Sequence, residues 1–207
     1  MKLLPLAALA AAAVLSTIMA ADIVWNAHNS DAVGPWLEGS HPYLQSAVSL
    51  AHGGVYVLLG AALIQAGRSI DGGRVLVRVL RWIIIAGYAI FAALYGWTGI
   101  IDPGYTPDGL LGSVVNGAFL TSLLVPVVLG FALIRRRELR LPVMLLIAPV
   151  ALLPLTIVLG MVGTWGHPGY METAVNFGVA LLCIAASTSA NHDGRADSVP
   201  TIETAAA

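Results

Sequence analysis

Between positions 45 and 60, Gln45, Ser49, His52, Tyr56 and Gly60 recur at three- and four-residue steps, so a hydroxyl, an imidazole and a phenol share one face of a helix. Two further helix starts carry polar residues at helical spacing, Ser113 with Asn116 and Glu172 with Asn176. Hydrogen bonding and proton transfer are the chemistry open to such a set. An imidazole paired with a carboxylate would change protonation near neutral pH, which makes His52 and Glu172 the expected pair. The candidate ligand-binding residues are therefore Ser49, His52, Tyr56, Asn116, Glu172 and Asn176, roofed by loops carrying His41, Asp102 and His167.

The same residues exclude other chemistries. The single cysteine, Cys183, rules out an intramolecular disulfide and a thiolate metal cluster. His28, His41, His52 and His167 form no close His-x-x-x-His or Glu-x-x-His pair, so neither a metal nor a haem is expected, and no cofactor is assigned. No catalytic residue is assigned either, since no nucleophile motif or phosphate loop accompanies these groups. The bland counterpart of a binding site is a structural hydrogen-bond cluster, because Ser, Asn and His commonly join membrane helices.

The elements that must position this set are apolar segments. A transmembrane helix needs about 20 mostly apolar residues, and candidates run near 3–24, 45–66, 79–101, 110–134, 141–164 and 169–189. Composition agrees, with 58% hydrophobic and 10% charged residues and a mean hydropathy of +0.85. The expected fold is all-α and polytopic, with six transmembrane helices. The first segment is read as a retained helix rather than a cleaved signal peptide, because it is long for an h-region and lacks a clean small-x-small site before Asp22. The tail from Asn191 onward is polar and aperiodic and is expected to be disordered.

Charge is sorted by sign along the chain. The ten basic residues are Lys2, Arg68, Arg74, Arg78, Arg81, Arg135, Arg136, Arg137, Arg140 and Arg195, all at the N-terminus, in the second or fourth loop, or in the tail. The positive-inside rule makes that side cytoplasmic, with both termini inside. Asp22, Asp31, Glu38, Asp102, Asp108 and Glu172 then fall on or near the outer face. A net charge of −1 argues against a nucleic-acid partner. The arginine bias points to a bacterial plasma (inner) membrane, where membrane lipids, a small-molecule or lipid ligand and a membrane-protein partner are the expected contacts. The middle of the bilayer is nearly free of ionisable groups, against a pump built on a midplane carboxylate. Pro126, Pro149 and Pro154 are read as static kinks, and Gly53, Gly54, Gly60, Gly160 and Gly163 as close-packing positions.

The three outer loops read alike: Trp36, Gly39, His41, Pro42, Tyr43; Trp97, Gly99, Asp102, Pro103, Gly104, Tyr105; and Trp165, Gly166, His167, Pro168, Gly169, Tyr170. Each precedes a similar helix start, Ser46 to Ser49, Ser113 to Asn116 and Thr173 to Asn176. Three copies of one helical hairpin would explain the shared order; interfacial aromatics and turn residues arising independently are the alternative. The run His41-Pro42-Tyr43 through Ser49-Leu50-Ala51-His52-Gly53-Gly54, with its copy Asp102-Pro103-Gly104-Tyr105, resembles the outer-loop pattern of a family of uncharacterised six-span bacterial membrane proteins. That resemblance implies a fold and a compartment and transfers no catalytic residue.

The functional expectation is an integral membrane protein whose outward-facing polar pocket binds or transports a small or lipid-like molecule. A membrane enzyme acting on a lipid or isoprenoid headgroup, with His52 or Glu172 as general base, is the second reading. A structural subunit of a membrane complex is the third.

Overall fold

The computed structural model describes residues 3–29, 41–103, 105, 107–163 and 165–196 of the 207. Six candidate spans long and apolar enough to cross a membrane are found among them, and no strand. Helix α1 is Leu3–His28, α2 is Pro42–Gln65, α3 is the short Gly67–Asp71, α4 is Val75–Ile100 and α5 is Gly109–Leu133. A 3-10 turn, Arg137–Leu139, leads into α6, Arg140–Ile147, then α7, Pro149–Val162, and α8, Gly169–Ala196. In hydrocarbon every backbone polar group must be satisfied within its own segment, which is why the apolar runs are helical throughout.

Two features of the helices, a break at the expected Pro149 kink and a departure at the end of the last helix, have clear causes. The fifth span is broken at Ala148 into α6 and α7. Pro149 has no N–H to continue the ladder and its ring crowds the preceding turn, while the Ala148 N–H still reaches the Met144 carbonyl at 2.9 Å. The last helix continues through Asn191 to Ala196 rather than giving way to a disordered tail at Asn191. Each further residue gains one ladder hydrogen bond, so a helix already nucleated by the apolar segment runs on through Asn191 to Ala196. The remainder of the tail, like Asp31, Glu38 and the rest of the first outer loop up to Ser40, lies outside the described residues.

Helix α2 packs most extensively on α4, and α4 on α5; α6 joins α5 to α8, and α1 lies across α2 and α8. Between membrane helices the driving force is close packing rather than water exclusion, so small residues sit where backbones approach. At Gly53 a Cβ would stand 3.4 Å from the Tyr95 Cβ and 3.5 Å from the Ala92 carbonyl, fixing the α2–α4 approach. At Gly178 it would stand 3.0 Å from the Leu146 backbone N, and at Gly130 2.7 Å from the Ile147 side chain, so α6 is pressed between α5 and α8. Gly54, by contrast, faces open space, and is not a packing position. Leu59, Leu63, Ile84, Tyr88, Leu129, Leu146 and Leu182 fill the core these contacts define.

Helix α7 buries only Pro149. Leu152 and Leu159 are half-buried, and most of its other apolar side chains are exposed, from Val150 and Leu153 to Met161 and Val162 at 81% and 77%. A helix apolar all round that leaves its side chains uncovered is one that faces lipid. Between α3 and α4 the chain turns on Gly72 and Gly73, whose φ values of 52° and 77° are left-handed and disfavour any side chain with a Cβ.

Candidate functional site

The stripe on α2 meets an aromatic stripe on α4. Tyr88, Phe91 and Tyr95 follow three- and four-residue steps on one face of α4, and Tyr56 packs against all three at ring-centroid distances of 5.3, 5.1 and 6.0 Å. His52, one turn before Tyr56 on α2, stacks on Tyr95 at 4.9 Å. Such offset aromatic pairs each contribute about 0.5–1.5 kcal/mol beyond simple burial, so the wall they form is rigid.

Helix α8 brings its polar residues to this wall. The Tyr56 hydroxyl donates a hydrogen bond to the Glu172 carboxylate. One turn deeper, the Tyr88 hydroxyl lies 3.5 Å from the Asn176 side-chain oxygen, a long contact between two buried groups. Glu172 itself is half-buried, and among the described residues it has no cationic partner. The arrangement is a carboxylate and an amide held against four rings within the membrane-spanning part of the bundle.

The expected His52–Glu172 pair does not form. His52 Nδ1 donates to the Val48 carbonyl at 2.8 Å, four residues back on its own helix, and the ring lies flat on Tyr95. Tyr56 is longer and one turn deeper, and it takes the carboxylate instead. Ser49 is half-buried on the same face of α2. Asn116 is exposed on α5, in line with Phe119 and Leu123, which meet the core further in. Ser113 is exposed and gives its hydroxyl to the Gly109 carbonyl at 3.0 Å, so it asks nothing of a neighbouring helix.

Of the roof residues, His41 is exposed at the N-cap of α2 and makes no side-chain capping bond. Asp102 is exposed beside a separate cavity of about 550 Å³ between α4 and α5, lined by Ile90, Leu94, Trp97, Tyr105 and Val114. His167 is turned toward α1: its Nδ1 accepts the Gly169 N–H at 3.0 Å, which leaves Nε2 as the ring's donor, 3.6 Å from Asp22 Oδ2.

Sequence reasoning placed Asp22 on or near the outer face and did not foresee its burial: it is 1% exposed, bonded to Asn26 at 3.3 Å through Oδ2, with Oδ1 unpartnered. Also missed were the α4 rings, although the spacing of Tyr88, Phe91 and Tyr95 is the same helical signal that marked α2. At the opposite, arginine-rich end, Arg81 and Asp71 form a buried bidentate pair, with Nε and Nη2 2.9 and 3.0 Å from the two carboxylate oxygens. No group of three or more His, Cys, Asp or Glu residues suited to a metal is present among the described residues.

Fold and site together define a class: an all-α, multi-pass membrane protein whose spanning helices enclose a carboxylate–aromatic cluster toward one end. No protein-family model, no curated protein and no solved structure matches the chain.

Proposed function

We propose that this is a multi-pass protein of the bacterial inner membrane whose outer half binds, for transport or sensing, a small or lipid-like molecule with a donor-bearing or cationic head. The observation that carries the reading is Glu172, hydrogen-bonded by Tyr56 beside Tyr88, Phe91 and Tyr95, with no basic residue of the described chain to neutralise it. An ionisable group within a membrane bundle is costly and is retained where it works. Acceptors backed by aromatic faces favour ammonium and hydroxyl-rich heads, since rings attract cations and a carboxylate completes the charge.

Native mass spectrometry of the detergent-purified protein tests this. The expected result is a defined adduct on the wild type and on the distant Asp102→Asn variant, lost in Glu172→Gln and weakened in His52→Ala, which removes the ring stacked on Tyr95. A bare protein mass throughout, or an adduct indifferent to Glu172, would refute the reading and leave the cluster as internal packing.

A further inference from the structure

At the arginine-rich end a cavity of about 430 Å³ opens between the end of α2, α3 and the first turns of α4, lined by Ile64, Arg68, Asp71, Arg78, Arg81 and Trp82. Its charge does not balance. Three guanidinium groups face one carboxylate, leaving two positive charges in excess among the lining residues. Asp71 is spent: it takes Arg81 through two short bonds and lies 3.4 Å from Arg78 Nε. Arg81 is spent as well, since it is 6% exposed and its third nitrogen lies 3.4 Å from the Leu63 carbonyl. Arg78 and Arg68 are different. The Arg78 side chain is 55% exposed, Arg68 is exposed, and neither is bound to a second acid among the described residues.

The walls of the cavity are apolar toward the outside of the bundle. Ile64 and Trp82 are 55% and 50% exposed, and tryptophan at the end of a membrane span sits at headgroup depth. An anion that settles here therefore meets guanidinium on one side and an indole and an alkyl chain on the other. We propose that this cavity binds the phosphate of an anionic phospholipid from the leaflet at the arginine-rich end, with Arg68 and Arg78 on the phosphate and the acyl chains along Ile64 and Trp82. Guanidinium matches phosphate oxygens in a two-pronged geometry, and basic pockets between spans on this side of a membrane suit acidic headgroups. The Arg81–Asp71 pair is the rigid floor, holding α3 against α4 so that the two outer arginines converge.

The arginines between α5 and α6 supply a matched control, because Arg135 and Arg137 are exposed at the same end and lie outside the cavity. The full-length protein in detergent is titrated with phosphatidylglycerol, phosphatidylcholine or inorganic phosphate, and bound lipid is read by native mass spectrometry. Phosphatidylglycerol should bind in preference to phosphatidylcholine, and the Arg68→Gln/Arg78→Gln double variant should weaken it about 30-fold, at about five-fold per arginine near a membrane surface. Arg135→Gln/Arg137→Gln, with the same loss of charge, should change it less than about two-fold. Equal weakening in both double variants would overturn the proposal, because the charge of the whole face rather than this cavity would then be read. Displacement of the lipid by inorganic phosphate at equal concentration would overturn it in favour of a free-phosphate site. A readout that needs no arginine variant is quenching by acyl-brominated phosphatidylglycerol: the tryptophan emission it removes should be smaller in Trp82→Phe than in the wild type, and identical quenching would also overturn the proposal.

Discussion

Replacing Asp71 by leucine removes a carboxylate that is almost wholly buried and that receives both Arg81 Nε at 2.9 Å and Nη2 at 3.0 Å. The guanidinium of Arg81 cannot reach solvent from its position, and its one other acceptor is the Leu63 carbonyl at 3.4 Å. Stranding a buried charge in this way costs about 3–5 kcal/mol, and Asp71→Leu should fall at the upper end of that range. Arg81→Met should cost less, because Arg78 already lies 3.4 Å from Asp71 and can take over its charge. The double variant Asp71→Leu/Arg81→Met exchanges the pair for apolar packing and should recover at least about 2 kcal/mol of the summed single costs. Gly67 provides an internal check. A Cβ there would stand 2.7 Å from Arg81 Cζ, and the guanidinium is pinned by Asp71, so Gly67→Ala should destabilise the wild type but not the apolar double variant. Unfolding in mixed detergent–SDS micelles, followed by circular dichroism, measures all of these. Single variants within about 0.5 kcal/mol of wild type, or single costs that simply add, would show that the pair is solvated and refute the reasoning.

Tyr56→Phe removes the donor to Glu172 and should cost about 0.6 kcal/mol, the mean for hydrogen bonds between membrane helices, and at most about 1.7, in the same unfolding assay; no loss would mean that water serves the carboxylate equally well. Asp22→Leu should be neutral or raise the melting temperature, since it replaces a buried carboxylate that has one unpartnered oxygen; a loss above about 2 kcal/mol would show that the His167 contact outweighs that penalty. Gly178→Val should cost about 1–3 kcal/mol by pushing α8 off the Leu146 backbone, while Gly54→Val, which meets nothing within 4 Å, should leave stability unchanged; equal effects at the two positions would refute the packing argument.

The span pattern was legible because it depends on composition summed over about 20 residues, which no single neighbour can override. Helix ends were less so: α1 runs four residues past the expected 24 to His28, so Asp22 sits inward of the helix end, where it meets His167 of the loop before α8. The polar stripe on α2 was legible from its period, and Tyr56 and His52 are buried as expected. Which partner each would choose was not, because that depends on side-chain reach and on local competition. His52 satisfies itself on Val48, Ser113 on Gly109, and both are thereby withdrawn from the network that spacing suggested. Arg81 was readable as a topology signal, but the carboxylate that accompanies it into the bundle lies ten residues back across a glycine turn. Spacing along one helix carries no trace of such a contact.

The two ends of the bundle are held by different physics. At the arginine-rich end, long side chains cross to backbone carbonyls at or near the ends of other helices: Arg74 to Ala132 at 2.9 Å, Arg136 to Ser69 and Ile70 at 3.0 and 3.2 Å, and Arg81 to Leu63 at 3.4 Å. Carbonyls in a helix's last turn lack internal partners and carry the negative end of its dipole, so each arginine satisfies an acceptor and a charge together. These staples tie α2, α3, α4 and α5 to one another and to the turn before α6. At the other end side chains make the cross-helix contacts among the described residues: Tyr56 with Glu172, His52 and Tyr56 on the α4 rings, His167 with Asp22, and the edge of His28 on Trp165 at 6.0 Å. There α7, released from α6 by Pro149, keeps most of its side chains on the lipid side and leaves α8 with a lighter covering. Glu172 thus sits at the end tied by rings and a carboxylate rather than by arginine-to-carbonyl bonds, and a ligand that engages it leaves the arginine-bonded core untouched.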